Sequence, residues 1–358
     1  MHAAGEPLVV QDVVVDDVGV REVLVDVMAS GVCHSDVGTW QGHAATALPT
    51  VLGHEPAGVV VAVGPDVDYV AVGDRVVGTP AAFCGRCEFC ISGRAYLCGG
   101  RGTHRDPATS SRLSSDGQAV HQFVGLSGFA EQILVHESAL VRLDPAMPLT
   151  PASLLGCGAI TGLGAVLRTA RLRAGDQAAI IGLGGVGLSA VQGCRLAGAR
   201  RIVAVDTNPA KLELALQLGA TDGVLVTEEA PAHRAVLKLT QGGVDWAFEC
   251  VGSNPTLQQA FAMTRTGGTT VLVGAFARGQ KIELPGSDFI MRGKTLKGSS
   301  LGGSLPRIDI PLYVDLYLDG RLRLDEMVSD RFGLSDINDA FGRLVDGKMT
   351  RGVISFGQ

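Results

Sequence analysis

What this chain lacks narrows its function first. It has no run of about 18 uninterrupted apolar residues, so no membrane-spanning helix is expected. It has no cluster of Lys and Arg, and its formal charge is −6, which argues against nucleic acid as a partner. Only 18% of residues are charged against 46% hydrophobic, the balance expected of a globular enzyme-sized chain. The opening Met1-His2-Ala3-Ala4-Gly5 has no basic start and no apolar run. No secretory signal is read there, and a cytoplasmic setting with reduced thiols is expected. No low-complexity repeat absorbs the 49 glycines, so they must serve tight turns and close backbone approaches.

Cysteine is scarce but concentrated. Four of the eight fall in one window, Cys84, Cys87, Cys90 and Cys98, spaced C-x2-C-x2-C-x7-C. A tetrahedral ion needs four converging soft donors, and this run can supply all of them locally, which points to zinc. Two disulfides would need an oxidising compartment. Iron–sulfur clusters use related spacings, and that alternative stays open. With four ligands and no open position, a zinc here would be a structural clamp, leaving the chemistry to other residues.

At 358 residues the chain has room for two domains. The first 150 residues read as mostly β, with short β-branched runs at 13–15, 23–27, 58–63 and 75–77 separated by Gly, Pro and Asp. Residues 99–128 turn polar and Ser/Gly-rich, as in Thr109-Ser110-Ser111, and are expected to form a long surface loop or arm. Past about residue 160 strands alternate with helices. Strands are expected at 177–181, 201–205, 244–249 and 269–274, with helices to about 197 and at 209–218. Repeated βαβ units imply an α/β fold with a doubly wound parallel sheet. Helices at 310–319 and 334–345 and a strand at 351–356 close the chain. The expected domains are 1–158 with 300–358, and 159–299.

Gly182-Leu183-Gly184-Gly185-Val186-Gly187 is G-x-G-x-x-G, directly after a strand and opening a helix. That context supports a dinucleotide site. The first glycine makes the turn, the second lets the backbone approach a pyrophosphate, and the third lets helix and strand pack. The next strand ends at Asp206, whose carboxylate would accept from an adenosine ribose and repel a 2′-phosphate, favouring NAD over NADP. Lys211, one helical turn on, could reach the ribose or be a solvated surface charge.

Three further metal-ligand candidates are scattered: Cys33, His54 and Cys157. Each has a suggestive setting, Cys157 at the domain junction, where clefts form. Two thiolates and one imidazole would leave a fourth position open, as in catalytic zinc sites. Spacing alone leaves a buried structural Cys or core His as the commoner reading.

The order of Cys33-His34-Ser35-Asp36, Leu52-Gly53-His54-Glu55-Pro56-Ala57-Gly58, the four-cysteine run and Gly182–Gly187 resembles the zinc-dependent alcohol dehydrogenases of the medium-chain dehydrogenase/reductase family. The resemblance covers nearly the whole chain. It implies a β-rich GroES-like catalytic domain beside a Rossmann domain, two zincs per chain, NAD, and a small-molecule alcohol, aldehyde or ketone as substrate. Cys33, His54 and Cys157 would then hold the catalytic zinc, with Asp36 orienting His54. Glu55 would lie near the metal, its alternative role being a local salt bridge. Ser35 would receive the substrate hydroxyl proton. His34, Thr161 and Arg351 match cofactor-contacting positions; the alternative for Arg351 is an exposed charge. Trp40, Phe123, Val124 and Ala275 resemble substrate-pocket positions and could equally be ordinary core residues. The 99–128 segment resembles the arm of dimeric members, so a homodimer is expected.

The chain departs from the family in two places. Family members often carry a histidine three residues past the relay Ser/Thr, where this chain has Gly38. Their opening strand precedes a Gly-Glu-Pro turn that comes here at Gly5-Glu6-Pro7, so that strand is missing or the start is shortened. A nicotinoprotein with permanently held NAD is an alternative, suggested by the segment around Gly298-Ser299-Ser300. A non-catalytic redox sensor on the same fold is a third reading, disfavoured because Cys33, His54, Cys157 and Ser35 are all present. The Arg/Glu pattern of a thiol-adduct enzyme is not evident between Trp40 and Pro49.

Overall fold

The computed structural model describes residues 1–105, 110–227 and 231–357. Its contacts divide the chain into Met1–Cys157 with Leu305–Gln358, and Gly158–Ser304.

The first unit is organised by one long strand, Glu22–Val32. Its β-branched residues alternate, and Val23, Val25 and Val27 are buried on one face. Pro56–Val63 pairs along one edge, antiparallel. The other edge is shared: Gln132–His136 covers the first half and Gly352–Ser355 the second. Asp330–Phe332, Arg75–Gly78 and Leu140–Arg142 complete the seven-stranded sheet. This register matters for the site. Ser30 opposes Pro56, and Gly352 opposes Val32. Cys33, Glu55 and Arg351 are each the next residue beyond a paired strand, so three distant parts of the sequence emerge together at one end of the sheet.

Residues 99–128 are not one surface loop. They contain a hairpin, Leu113–Ser115 with Gln118–Gln122, in a second sheet with Val14–Val15 and Thr50–Val51. The physical reason is burial that composition hides. Leu113 and Val120 are buried, and Arg112 donates through Nε to the buried Glu22 carboxylate at 2.7 Å. Thr109, part of the polar stretch read there, lies outside the described residues.

The second unit is a six-stranded parallel sheet. Its order is Asp222–Leu225, Arg201–Asp206, Gln177–Ile181, Val244–Glu249, Thr264–Leu272, Thr295–Gly298. That is the doubly wound dinucleotide-binding order. All five residues of Gln177–Ile181 are buried, as expected of a central strand covered on both faces. The helices Gly185–Leu196, Pro209–Leu218, Ala232–Thr240 and Asn254–Met263 form the crossovers. Among the described residues no single helix is long and apolar enough to cross a membrane.

Candidate active site

Among the described residues, two metal-donor clusters occur in the first unit. In the outer one, Cys84, Cys87, Cys90 and Cys98 are partly exposed, and their four sulfurs all lie within 4.8 Å of one another. The separations are 3.5 Å for Cys87–Cys90, 3.7 Å for Cys87–Cys98 and Cys98–Cys84, and 4.0 Å for Cys84–Cys90. Four sulfurs about 2.3 Å from a central zinc stand about 3.8 Å apart, far beyond the ~2.05 Å of a disulfide. The Cys84 and Gly100 N–H groups both donate to the Cys98 sulfur at 3.4 Å. Backbone N–H groups of Arg86 and Cys87 bring the Cys84 thiol down to about 6, while burial pushes Cys90 up to about 12. A site with one thiolate already favoured and four converging sulfurs fits zinc.

The inner cluster is assembled from distant segments. Ligand atoms of Cys33, His54, Glu55 and Cys157 lie within 4.8 Å of one another. Cys33 caps the His34–Trp40 helix at the end of the long strand. His54 follows Gly53, whose φ is +92° and whose missing Cβ would fall 2.3 Å from the Phe129 nitrogen. Only glycine can hold that turn. Cys157 follows Gly156, where a Cβ would sit 2.4 Å from the Gly78 carbonyl.

Asp36 is fully buried and sets the imidazole. Its Oδ1 accepts from His54 Nδ1 at 2.9 Å and from the Gly53 N–H at 3.0 Å, and its Oδ2 accepts from the Cys33 N–H at 3.3 Å. With Nδ1 engaged, the other ring nitrogen is the free one. His54 Nε2 is buried and has no hydrogen-bond partner among the described residues. A buried, unclaimed imidazole nitrogen beside two sulfurs is the pattern a metal completes.

Burial alone would lower His54, but the Asp36 carboxylate and Cys33 outweigh it and raise the imidazole well above its usual value. The thiol hydrogen bond shared with Cys157 holds Cys33 well below its usual value and lifts Cys157 above it. Burial raises Glu55 to about 7, against the pull of the Arg351 guanidinium paired with it. Room for that buried carboxylate comes from Gly31, whose Cβ would fall 2.1 Å from Glu55 Oε2. Arg351 is therefore a buried countercharge rather than an exposed residue, and Glu55 makes an ion pair that is local in space but 296 residues away in sequence.

The remaining expected residues divide by unit. Ser35 Oγ lies 3.8 Å from the Cys33 sulfur. His34 opens the helix. The Phe123 ring meets the His54 ring edge-to-face at 5.6 Å, and Val124 follows it at φ +46°. Trp40 packs against Phe341, with its N–H donated to the Glu6 carbonyl at 2.6 Å. In the second unit, Gly182 has φ +88°, and a Cβ on Gly187 would fall 1.8 Å from the Gly182 carbonyl. A Cβ on Gly184 meets nothing within 4 Å, so the loop is open there. Gly185 and Val186 begin the helix, and Thr161 is buried on the Gly158–Gly164 helix packed against it. Asp206 accepts from the Leu183 N–H at 2.7 Å and the Asn208 N–H at 2.9 Å, which ties strand end to glycine loop. Lys211 lies half-buried one turn into the next helix. Ala275 follows the Thr264–Leu272 strand, its carbonyl 2.3 Å from where a Gly252 Cβ would sit. Gly31 escaped the sequence reading, although a glycine inside a strand signals close approach by another group.

The sequence profile described as "Alcohol dehydrogenase GroES-like domain" matches residues 19–145, and that described as "Zinc-binding dehydrogenase" matches residues 185–318. Fold and site thus define a zinc-binding dehydrogenase. The chain is 39% identical to an S-(hydroxymethyl)glutathione dehydrogenase of Synechocystis sp., over 98% of this chain and 97% of the relative. It is 37% identical to an alcohol dehydrogenase class-3 of Zea mays, over 99% and 95%. Among solved structures, an alcohol dehydrogenase zinc-binding domain protein from Burkholderia ambifaria superimposes with a TM-score of 0.94 at 36% identity, covering 100% of this chain and 97% of that one. Benzyl alcohol dehydrogenase from Acinetobacter calcoaceticus gives 0.90 at 32%, covering 97% and 95%. The chain belongs to the zinc-dependent alcohol dehydrogenases of the medium-chain dehydrogenase/reductase family.

Proposed function

We propose that this protein interconverts an alcohol and its aldehyde or ketone, with NAD exchanged at each turnover. The observation that carries the reading is His54 Nε2, buried and unclaimed within the Cys33–Cys157 cluster. Zinc would supply Lewis acidity at the substrate oxygen, and NAD the hydride-accepting ring. Cys33, His54 and Cys157 would hold the ion, and Asp36 fixes the tautomer that leaves Nε2 available. Glu55, restrained by Arg351, is a fourth donor near the ion. Ser35 takes the substrate hydroxyl proton. Gly182, Gly184 and Gly187 admit the pyrophosphate, and Asp206 reads the ribose. His34, Thr161 and Arg351 are cofactor contacts by family likeness, and Lys211, in the helix after Asp206, is placed to reach the ribose.

The substrate is proposed to be a free alcohol rather than a glutathione adduct. Between Trp40 and Pro49 the one ionisable side chain is His43, leaving little there to bind a charged tripeptide. A homodimer is proposed as well. Thr295–Gly298 is an open sheet edge, and the adjoining Ile290 and Met291 are 83% and 81% exposed, a surface that a second copy would cover.

The test is turnover with primary, secondary, aromatic and terpenoid alcohols and S-(hydroxymethyl)glutathione, with NAD and NADP, beside zinc quantification. Two zincs, NAD-selective alcohol oxidation and a dimer mass by light scattering are expected. No oxidation of any alcohol by the zinc-loaded protein would overturn the reading. Cofactor that survives desalting would replace exchange by permanent binding. Asp206→Ser should lower NAD selectivity about tenfold, the value of one or two lost hydrogen bonds.

A further inference from the structure

A serine hydroxyl cannot hold an extra proton. If Ser35 receives one from substrate, another group must take Ser35's own. Ser35 and Gly38 lie on one face of the His34–Trp40 helix, one turn apart, with β-positions about 5–6 Å from each other. Gly38 has no side chain to offer. Yet the space its side chain would occupy is bordered by an imidazole: Nδ1 of His43 lies 4.0 Å from the Cβ position of Gly38, the only heavy atom of the described residues within 4 Å apart from the neighbouring residues and the helix's own backbone.

The helix terminus puts it there. Gly42 has φ +81°, its N–H donates to the Thr39 carbonyl at 3.0 Å, and the His43 N–H donates to the Gly38 carbonyl at 2.8 Å. This paired hydrogen-bond closure is a Schellman motif, which folds the chain back along the helix it ends. His43 is exposed, open to bulk water at its outer side.

We propose that His43 carries the substrate proton from Ser35 to solvent. The inference rests on the dehydrogenase reading of the site. The substrate O–H bond breaks and its proton goes to Ser35 Oγ. Ser35's own proton passes through bridging solvent to an unprotonated ring nitrogen of His43, and the imidazolium then releases it to bulk water. The reverse sequence delivers a proton during carbonyl reduction. Imidazole is the side chain suited to accept and release a proton near neutral pH.

The other titratable groups on the segments packed here are otherwise placed. Asp36 is buried and committed to His54 and Gly53. His34 neighbours Ser35 in sequence, and adjacent helix residues do not face each other. On the N-terminal turn, which touches this one through Ala4 beside Gly42, the Met1 ammonium donates to the Thr50 carbonyl and His2 bonds Gln11. Glu6 bonds Trp40 through its backbone carbonyl.

The experiment compares zinc-loaded wild type, His43→Ala, and His43→Ala with Gly38→His. His43→Ala should lower kcat/KM for alcohol oxidation about tenfold or more at neutral pH, with the gap closing as hydroxide rises. The double variant, which returns an imidazole to the Ser35 face from within the helix, should recover activity, and so should added free imidazole. A readout apart from turnover is the ring ¹⁵N signal of His43, which Gly38→Val should displace by filling the space beside the imidazole. A wild-type pH profile in His43→Ala, while Cys33→Ser is inactive, would overturn the relay alone. Full activity in Cys33→Ser would overturn the underlying reading instead.

Discussion

The two sulfur clusters of the first unit are built on opposite plans. The outer one takes all its donors from one short stretch, stands partly in solvent, and has its charge tempered by backbone N–H groups. The inner one gathers donors from positions 33, 54 and 157, is buried except at the partly exposed Cys157, and is ringed by ionisable neighbours: Asp36, Glu55 and Arg351. A closed set of four like ligands has nothing left to give a substrate. A mixed set held by buried charges keeps a position available and can tune what enters it. The difference teaches that ligand density in sequence marks a clamp, while convergence over distance marks chemistry.

The sharpest way to break this contrast is to exchange the effects of the two clusters. Cys33→Ser should lower turnover roughly a thousandfold or more, since Lewis acidity contributes several kcal/mol. One of two zincs should be lost and the other kept, by metal analysis. Near-normal turnover would erase the functional half of the contrast. Cys87→Ala should do the reverse. Loss of several kcal/mol of folding stability is expected in thermal melts, with turnover retained by the folded fraction. Native stability and unchanged zinc content would remove the structural half.

Asp36→Asn should have a smaller effect. It leaves all inner ligands in place but weakens control of the His54 tautomer, so a 10- to 100-fold loss of zinc affinity at that cluster alone is expected. Equal loss at both clusters would show that the effect is not local.

The mildest test separates protons from metals, because acid strips both clusters. His136 belongs to neither ligand set: its Nδ1 accepts from the Ser138 N–H at 3.1 Å. Burial, with Arg21 and Arg112 adding to it, lowers the imidazole from 6.5 to about 4. Between those values the unfolded chain binds a proton that the folded one refuses, so stability falls as pH falls through that window. The loss should be on the order of 2 kcal/mol. His136→Asn should flatten that part of the metal-free pH–stability curve, and an unchanged slope would reject the assignment.

How legible each feature was follows from how local it is. The C-x2-C-x2-C-x7-C run could be read directly, because its ligands share one loop. The glycine loop was readable too: Gly182 needs its left-handed turn and Gly187 its close packing, both set by neighbours in sequence. Cys157 could not be joined to Cys33 by any spacing rule, and family likeness joined them. Nor did the sequence reveal that Arg351 would be buried, because that depends on strand register pairing Gly352 with Val32. The 113–122 hairpin was hidden by polar composition, since the burial of Arg112 depends on a carboxylate 90 residues away.

The spacing of the ligands also has a consequence in time. During synthesis the chain appears from its N-terminus. The outer cluster is complete once Cys98 has emerged, so a zinc ion can be captured while most of the protein is still unmade. The inner cluster has its last ligand only at Cys157, and Glu55 must wait for Arg351, 296 residues later. The clamp can mature before the second cluster has its ligands and its countercharge, so a growing chain can carry zinc before it can act on a substrate.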